Sequence, residues 1–422
     1  MKKHLLITSL FLFAVCTLSA QIIIDADNPT QPYNNTITTA DPFLLIAPDA
    51  RSGAMGDLGV ATSADNYCQH HNPSKYVFNE DIFGIGVAYS PWLKSLVGDI
   101  HLIYLSSFWK PAENDAIAFS LRYFSLGDID FTDQYGNKLV SVNPNEFTLD
   151  FTYARKLSKI VSMAITPRFI YSNLTYGYVD NDTGIEYKPG LAAAVDISLF
   201  VNKEFMHNMT GFKSSALMFG LNVSNIGNKV NYSKNGDKKE FLPCNLKLGL
   251  SYNMAFDDYS KLAVSVEAGK LLVPTPAAKY EHRIDSVTVE YPYYGNGQSW
   301  DDKNSIVGIG LSFGHAAGGY KENPAGCFRE KMREIVWSVG LEYSYRDILF
   351  VRAGTFLENR YKGNRKFATI GAGVKYNIFA IDVCYLVAFT QGHPLENTLR
   401  FTLTFMLQSF NKDQIKQQGK LK

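Results

Sequence analysis

From about residue 82 to about residue 408, the chain consists of short stretches in which apolar and polar residues alternate, separated by Gly, Asn, Asp and Pro. In stretch 147–153, aromatic or aliphatic residues occupy every second position, and Thr or Asp lies between them. Stretches 337–346 and 399–407 repeat this arrangement. Because successive side chains of a strand point to opposite faces, this alternation predicts β-strands with one apolar face and one polar face.

Strand length and turn length together predict how these strands are arranged. Candidate strands cover 82–90, 99–109, 114–127, 146–156, 160–173, 190–201, 215–226, 245–256, 261–272, 304–314, 335–346, 349–358, 366–377, 379–390 and 398–408. A single-chain bacterial barrel has an even number of strands, short periplasmic turns and long outer loops. The short turns near Ser158, Asp258, Asp347 and Asn377 all fall on the same side of the membrane only if 304–314 is not a membrane-spanning strand. We therefore predict an all-β fold, a 14-stranded antiparallel transmembrane β-barrel with a long outer loop at 273–334 and both ends in the periplasm.

The regions outside the barrel have different compositions. The first 20 residues have a basic start, an apolar run from Leu5 to Val15 and a small residue at Ala20, as in a secretory signal peptide. Export and barrel strands together predict the outer membrane of a Gram-negative bacterium. The predicted division is a signal peptide (1–20), an irregular, periplasmic N-terminal segment (21–80), the barrel (81–410) and a polar tail (411–422).

The predicted inward face carries about one charged residue on many strands. These residues are Arg122, Asp150, Arg168, Asp196, Lys247, Glu267, Glu342, Arg352, Lys375, Asp382 and Arg400. A selective pore more naturally carries one dominant sign of charge at its constriction. The mixed signs favour internal salt bridges and hydrogen bonds in a narrow lumen, and a path for small molecules stays open as an alternative.

The overall charge narrows the range of partners. Lysine and arginine total 41 residues and aspartate and glutamate 40, which gives a formal net charge of +1. Nothing in this balance points to nucleic acid. Apolar residues make up 46% of the chain and aromatic residues 14%, a composition that argues against extensive disorder.

Two groups of residues carry possible chemistry. Ser312 lies in a G-x-S-x-G sequence, but that motif requires a strained turn from strand to helix, and 310–314 fits a strand-like or loop segment. Cys68, His70 and His71 are close in sequence, yet no further residue completes a tetrahedral metal site. We predict no catalytic residue, no cofactor site and no metal site, and therefore no enzyme. Disulfide pairing among Cys68, Cys244, Cys327 and Cys384 stays open.

The long outer loop carries the residues that we predict to bind a partner. Tyr291, Tyr293, Tyr294 and Trp300 lie among Pro, Gly and Asp, and Phe328 begins a short predicted helix at 328–334. Aromatic residues are favoured anchors in protein interfaces. An aromatic girdle or a loop packed on itself is an equal alternative for the aromatic residues of 280–301, and a solvated loop helix is the alternative for 328–334.

Several motifs resemble known families. The N-terminal segment resembles that of the FadL-like outer-membrane barrels, through 51–56, 60–62 and Asn72-Pro73. A closer resemblance, over nearly the whole mature chain, is to the PorV family of the type IX secretion system. The motifs that carry it are 317–322, 340–343, 351–354, 363–366 and 397–401. The FadL-like resemblance implies that the N-terminal segment plugs the lumen as a hatch.

The PorV resemblance implies a shuttle rather than an enzyme. Such a protein binds the C-terminal domain of cargo that has crossed the translocon barrel, and delivers it to a surface attachment complex with a PorU-type sortase. The implied partners are the translocon, this sortase complex, the cargo domains and outer-membrane lipid or lipopolysaccharide. The alternative function is a FadL-type channel for hydrophobic small molecules, which implies an apolar pocket in the lumen. An outer-membrane lipopolysaccharide deacylase is a third, enzymatic alternative.

Overall fold

The computed structural model describes residues 36–94, 97–132, 135, 138–174, 186–206, 213–236, 239–275, 280–284, 287–289, 303–314, 324–390 and 394–408. Within them, the strands are β1 (Asp81–Pro91), β2 (His101–Ala112), β3 (Asp115–Ser125), β4 (Ile129–Thr132), β5 (Lys138–Val142), β6 (Asn145–Lys156), β7 (Val161–Asn173), β8 (Gly190–Met206), β9 (Ser214–Gly227), β10 (Asn245–Ala255), β11 (Ser260–Leu271), β12 (Tyr280–Ile284), β13 (Val287–Val289), β14 (Ile335–Tyr345), β15 (Leu349–Leu357), β16 (Lys366–Tyr376), β17 (Phe379–Ala388) and β18 (Leu399–Gln408). The helices are α1 (Ala50–Gly53), α2 (Cys68–His71), α3 (Ser305–Gly314) and α4 (Pro324–Arg333), with 3-10 helices at Pro42–Leu45 and Pro73–Phe78. None of the helices within these ranges is long and apolar enough to cross a membrane.

Fourteen of these strands form one closed antiparallel barrel. Their order is β1-β18-β17-β16-β15-β14-β11-β10-β9-β8-β7-β6-β3-β2, and β2 pairs with β1 to close the ring. The remaining strands form two separate hairpins, β4–β5 and β12–β13, within the connections between barrel strands. The predicted 14-stranded antiparallel barrel is confirmed.

The two faces of the wall follow the alternation of the sequence. In β6, Thr148 and Asp150 are buried, whereas Leu149 and Phe151 are exposed. In β14, Ser338 and Glu342 alternate with exposed apolar residues in the same way. An outward apolar band around a polar interior is the arrangement of outer-membrane barrels.

The connections differ in length between the two ends of the barrel. The longer ones lie at the long-loop end, at 92–100, 126–144, 174–189, 228–244, 272–334, 358–365 and 389–398. The others lie at the short-turn end, at 113–114, 157–160, 207–213, 256–259, 346–348 and 377–378. β1 begins and β18 ends at the short-turn end, as predicted for an even number of strands.

Residues 304–314 stay out of the barrel as predicted, but the prediction of a strand-like or loop segment is wrong. Ser305–Gly314 is the helix α3. The side-chain oxygen of Asn304 accepts a hydrogen bond from Val307 N at 2.9 Å, and the backbone carbonyl of Asn304 accepts one from Gly308 N at 3.0 Å. An Asn in this position caps a helix N-terminus and satisfies amides that lack an intrahelical partner. The predicted helix at 328–334 is confirmed as part of α4, which begins earlier, at Pro324.

Candidate functional site at the long-loop end

Residues 36–80 pack against the lumen side of the barrel wall. The second 3-10 helix contacts β6 and β7, whereas α1 contacts β17 and β18. Glycines allow this close approach, because a Cβ atom at Gly220 would overlap the carbonyl of Val60 and one at Gly354 would overlap the backbone of Met55. The prediction that segment 21–80 plugs the lumen stays a prediction, since residues 21–35 lie outside the described residues.

Residues 40–43 lie at the long-loop end. Ala40 N donates to Phe241 O at 2.9 Å, in connection 228–244. Phe43 stacks on Phe124, near the long-loop end of β3, with ring centroids 6.0 Å apart. In the structure, residues 40–80 therefore follow the lumen side of the wall from the long-loop end to the start of β1.

Ion pairs join the segment to the wall. Arg51 Nη2 lies 2.8 Å from Glu342 Oε1, and Arg51 Nη1 lies 2.7 Å from Asp65 Oδ2. Arg352 Nε also bonds Glu342, at 2.6 Å, and Arg352 Nη1 bonds Asp382 at 2.5 Å. Arg51 and Glu342 thus join chain positions 291 residues apart. Pairing of this kind compensates for the cost of removing these charges from water.

The other predicted inward charges are also engaged. Arg168 pairs with Asp150 at 2.7 Å and with Asp196 at 3.0 Å, Lys247 with Glu267 at 2.8 Å, Lys375 with Asp81 at 3.7 Å, and Arg400 with Asp57. Arg122 instead donates to the carbonyls of Phe43 and Leu44 and bonds His70. The predicted internal salt bridges and hydrogen bonds are confirmed for these residues.

Each of the three residues in the candidate metal set forms hydrogen bonds with a different partner: Cys68, His70 and His71. His71 Nε2 lies 3.1 Å from Asp49 Oδ1, and His70 Nδ1 lies 2.6 Å from Arg122 Nη2. Cys68 Sγ accepts a hydrogen bond from Asp65 N at 3.2 Å. No group of three His, Cys, Asp or Glu residues suited to a metal ion occurs within the described ranges. Cys68, Cys244 and Cys384 are buried free thiols.

The helix α3 presents apolar side chains to the exterior. Gly308 lies against the ring of Phe241, and Ser312, one turn later, is buried. The opposite face carries Ile306, which is 77% exposed, and Phe313, which is 54% exposed. α3 contains no charged residue. Clustered exposed apolar side chains on a soluble surface mark an interaction site.

Ser312 is held by the helix itself. Its Oγ donates to Ile309 O at 2.7 Å. The nucleophile motif places its Ser on a sharp turn that precedes a helix, whereas Ser312 lies near the end of α3. His315 and His393, the histidines downstream of this motif's start, lie outside the described residues.

The helix α4 adds the single predicted partner-binding residue that the structure describes. Phe328 is 69% exposed, and Met332, one turn later, is also exposed. The base of α4 is fixed by buried Glu334, whose carboxylate bonds Lys270 at 2.5 Å and Lys331 at 3.1 Å. Burial opposes ionisation of Glu334, but the two lysines outweigh it and lower the pKa. Tyr291, Tyr293, Tyr294 and Trp300 lie outside the described residues, so their predicted role stays a prediction.

We call the exposed large apolar side chains of α3 and α4 the apolar loop surface: Ile306, Val307, Phe313, Phe328 and Met332. Sequence reasoning missed those of α3, because Gly and Ser at alternate positions gave the segment a strand-like period. Asn304 as a helix cap, and Gly308 and Ser312 four residues apart, were the available signals. Tyr135 is also exposed, but it lies beside the hairpin β4–β5 and not on α3 or α4.

A cavity of about 450 Å³ lies in the wall around β6–β9. Phe119, Phe151, Pro167 and Phe169 are among its lining residues, together with Arg168. Phe119, Phe151 and Phe169 are exposed on the outward face, so the cavity opens away from the lumen. It is therefore not the luminal pocket that the channel alternative implies.

The fold and the apolar outward face together define the class: the chain is a β-barrel of the outer-membrane type, and residues 36–80 contact the lumen side of its wall. The family model described as "Type IX secretion system protein PorV" matches residues 29–278. The chain therefore belongs to the PorV family of type IX secretion system proteins. No curated protein sequence matches it.

Solved structures with a similar fold are distant. The Ralstonia pickettii toluene transporter TbuX is 9% identical, with a TM-score of 0.46, and the match covers 87% of this chain and 99% of that chain. The P. putida toluene transporter TodX is 9% identical, with a TM-score of 0.45 and coverage of 85% and 98%. A Pseudomonas aeruginosa FadL homologue is 11% identical, with a TM-score of 0.41 and coverage of 89% and 99%. These likenesses are too remote to indicate what the chain binds.

Proposed function

We propose that this protein is an outer-membrane shuttle of the type IX secretion system. It binds the C-terminal domain of translocated cargo and delivers it to the surface attachment complex, which contains a PorU-type sortase. Membership of the PorV family supports the secretion system. The observation that carries the docking step is the apolar loop surface, which projects from the long-loop end of the barrel.

The chemistry of this surface suits a protein partner. Ile306 and Phe313 lie on one face of an uncharged helix whose other face packs on Phe241. Phe328 offers a second aromatic anchor on α4. Covering such side chains removes apolar area from water, which contributes about 25 cal/mol per Å². We propose that the cargo domain covers this surface.

The proposed orientation in the outer membrane follows from the length of the connections between strands. With the long-loop end outside the cell, the apolar loop surface faces cargo that leaves the translocon barrel. Outer-membrane lipid or lipopolysaccharide surrounds the outward face of the strands. We propose that the protein itself is not an enzyme, and that the attachment chemistry belongs to the sortase.

The lumen gives less support to the channel alternative. Residues 36–80 contact the wall through buried pairs such as Arg51 with Glu342 and Arg400 with Asp57. A path for a hydrophobic small molecule would require these charges to separate inside the barrel, which is costly without new partners. The shuttle uses only the exposed end and leaves these contacts in place.

A secretion assay tests the proposal. A strain that lacks the gene is complemented with the wild type, with the double variant Ile306→Ser and Phe313→Ser, or with the loop control Tyr135→Ser. We expect the double variant to leave cargo unattached, while the control restores surface attachment. Heat-modifiable migration on gels checks that each barrel is folded. Normal attachment by the folded double variant, or fatty-acid uptake that depends on the protein, would contradict the shuttle.

A further inference from the structure

The outward cavity around β6–β9 coincides with two irregularities in the barrel wall. The ladder between β6 and β7 is interrupted at residues 151–152, which lie opposite 166–167. Pro167 lies in this interruption and has no N–H group to donate to a neighbouring strand. Between β8 and β9 the register shifts next to Val195, which forms a bulge. Pro167 pairs with Val195 across β7 and β8, and both residues line the cavity, so it lies where the two irregularities meet.

The lumen side of this part of the wall is occupied by a buried network of charged and polar groups. Arg168 Nε donates to Asp150 Oδ1 at 2.7 Å, and Arg168 Nη2 lies 3.0 Å from Asp196 Oδ2. Asn225, within the bulge of β9, has a φ of 60° and donates its backbone N–H to Asp196 Oδ1 at 2.7 Å. All of these residues are buried. The network therefore lies between the outward cavity and the lumen.

The exposed side chains that line the cavity are apolar and differ in size. Phe119 pairs with Phe151 across β3 and β6, and all but the ends of these rings lie against apolar neighbours. Phe169 pairs with Ala193 across β7 and β8, so a large ring lies beside a single methyl group. The volume of about 450 Å³ falls within the range of ligand pockets, about 300–1,000 Å³. Because Arg168 is buried, the cavity suits a ligand that carries no charge at this depth.

We propose that this cavity binds an acyl chain of lipopolysaccharide. The outward residues of outer-membrane strands contact the hydrocarbon of the bilayer, so the ligand enters from the lipid phase. An empty cavity would lose dispersion contacts that an acyl chain supplies. Ala193 lies near the start of β8 and Ile226 near the end of β9, and both of these strand ends are at the long-loop end. In the orientation proposed above, this part of the wall lies in the outer leaflet, which contains lipopolysaccharide.

Filling the cavity with a larger side chain tests this site. Ala193→Phe replaces the methyl group that borders the cavity with a ring. Ala353→Phe is the matched control, because Ala353 is also exposed on the outward face, on β15, and does not line the cavity. The full-length wild type and both variants are purified from outer membranes in the same mild detergent. Native mass spectrometry then identifies and quantifies the lipids and proteins that each barrel retains.

We expect the wild type and Ala353→Phe to retain lipopolysaccharide, and Ala193→Phe to retain about tenfold less, a loss of about 1.4 kcal/mol. Equal retention by Ala193→Phe, or a wild type without lipopolysaccharide, would overturn the proposal. Selective loss of a phospholipid or of a protein from Ala193→Phe would overturn it too, because the cavity would then belong to that ligand. If heat-modifiable migration shows that Ala193→Phe does not fold, the smaller change Ala193→Leu is compared with Ala353→Leu. Cargo attachment does not enter this measurement, so its outcome is independent of the shuttle.

Discussion

The lumen and the long-loop end of this barrel differ in which side chains they bury and which they expose. In the lumen, charged groups are buried and paired, as with Arg352 between Glu342 and Asp382. On α3 and α4, apolar groups such as Ile306 and Phe328 are exposed to solvent. Charges such as those of Arg352, Glu342 and Asp382 are thus paired where they are hidden, and apolar area is left uncovered where a partner can reach it.

This contrast separates what holds the protein together from what is available for binding. The luminal contacts fix residues 36–80 to strands all around the wall, so their loss should loosen the segment. The side chains of the apolar loop surface are exposed to solvent, so replacing them should change binding and leave the barrel intact. Variants in the two regions should therefore fail in different assays.

The largest effect is expected from Arg51→Met. This change leaves Asp65 without its cation and removes one of the two arginines on Glu342. Removing one member of a buried ion pair costs about 3–5 kcal/mol. We expect hydrogen exchange of the backbone amides of 50–57 to become much faster. The control is Arg155→Met, because the side chain of Arg155 is 62% exposed and lies 3.7 Å from Asp115. Equal protection of these amides from exchange in the two variants would mean that the ion pairs do not hold residues 50–57 against the wall.

A somewhat smaller effect is expected from Gly354→Ala on β15. The added Cβ atom would overlap backbone atoms of Met55 and Gly56, which cannot turn aside as a side chain can. Overpacking of this kind costs about 1–3 kcal/mol. Limited proteolysis of the segment should show faster cleavage. Gly269→Ala is the matched control, since its nearest contact would be Lys247 Cγ at 3.8 Å. Unchanged cleavage of Gly354→Ala would show that the segment does not approach this strand.

At the long-loop end, Phe313→Ser should weaken binding without changing stability. An aromatic anchor in an interface contributes about 2 kcal/mol, or roughly thirtyfold in Kd. Affinity for a purified cargo C-terminal domain can be measured with the barrel in detergent. The thermal unfolding temperature of the barrel should stay at its wild-type value. A fall in that temperature without a change in affinity would place Phe313 among the residues that hold the fold.

The smallest effect is expected from Lys261→Met at the short-turn end. Lys261 Nζ lies 2.6 Å from Asp347 Oδ2, and both side chains are largely exposed. Exposed pairs contribute about 0–1 kcal/mol, because solvent and salt screen the charges. In denaturant unfolding, the free energy of unfolding of Lys261→Met should differ from wild type much less than that of Arg51→Met. A loss as large as that of Arg51→Met would remove the distinction between the lumen and the rest of the surface.

Much of the fold was predictable because a barrel wall imposes a period of two on its strands. Thr148 and Asp150 point inward and Leu149 and Phe151 outward, as their alternation requires. The inward charges followed from the same parity, although their partners did not, since Arg51 and Glu342 are far apart in the sequence. Pairing across the lumen depends on the path that residues 36–80 follow through it, and local sequence patterns do not predict that path.

The candidate site was predicted less well. Phe328 was recognised as an aromatic residue on a loop helix, but Ile306 and Phe313 were not, because Gly308 and Gly310 imitate the period of a strand. The position of residues 40–46 at the long-loop end depends on contacts such as Ala40 with Phe241, which no spacing in the sequence reveals.

Site-specific photocrosslinking in living cells tests the central claim most directly. A photoreactive phenylalanine is introduced at Ile306, at Phe328 and, as a control, at Val351, which is exposed on the outward face of β15. The account predicts crosslinks to the C-terminal domains of secreted proteins from the first two positions and not from the third. Crosslinks to such domains from none of the positions, or equally from all three, would contradict it.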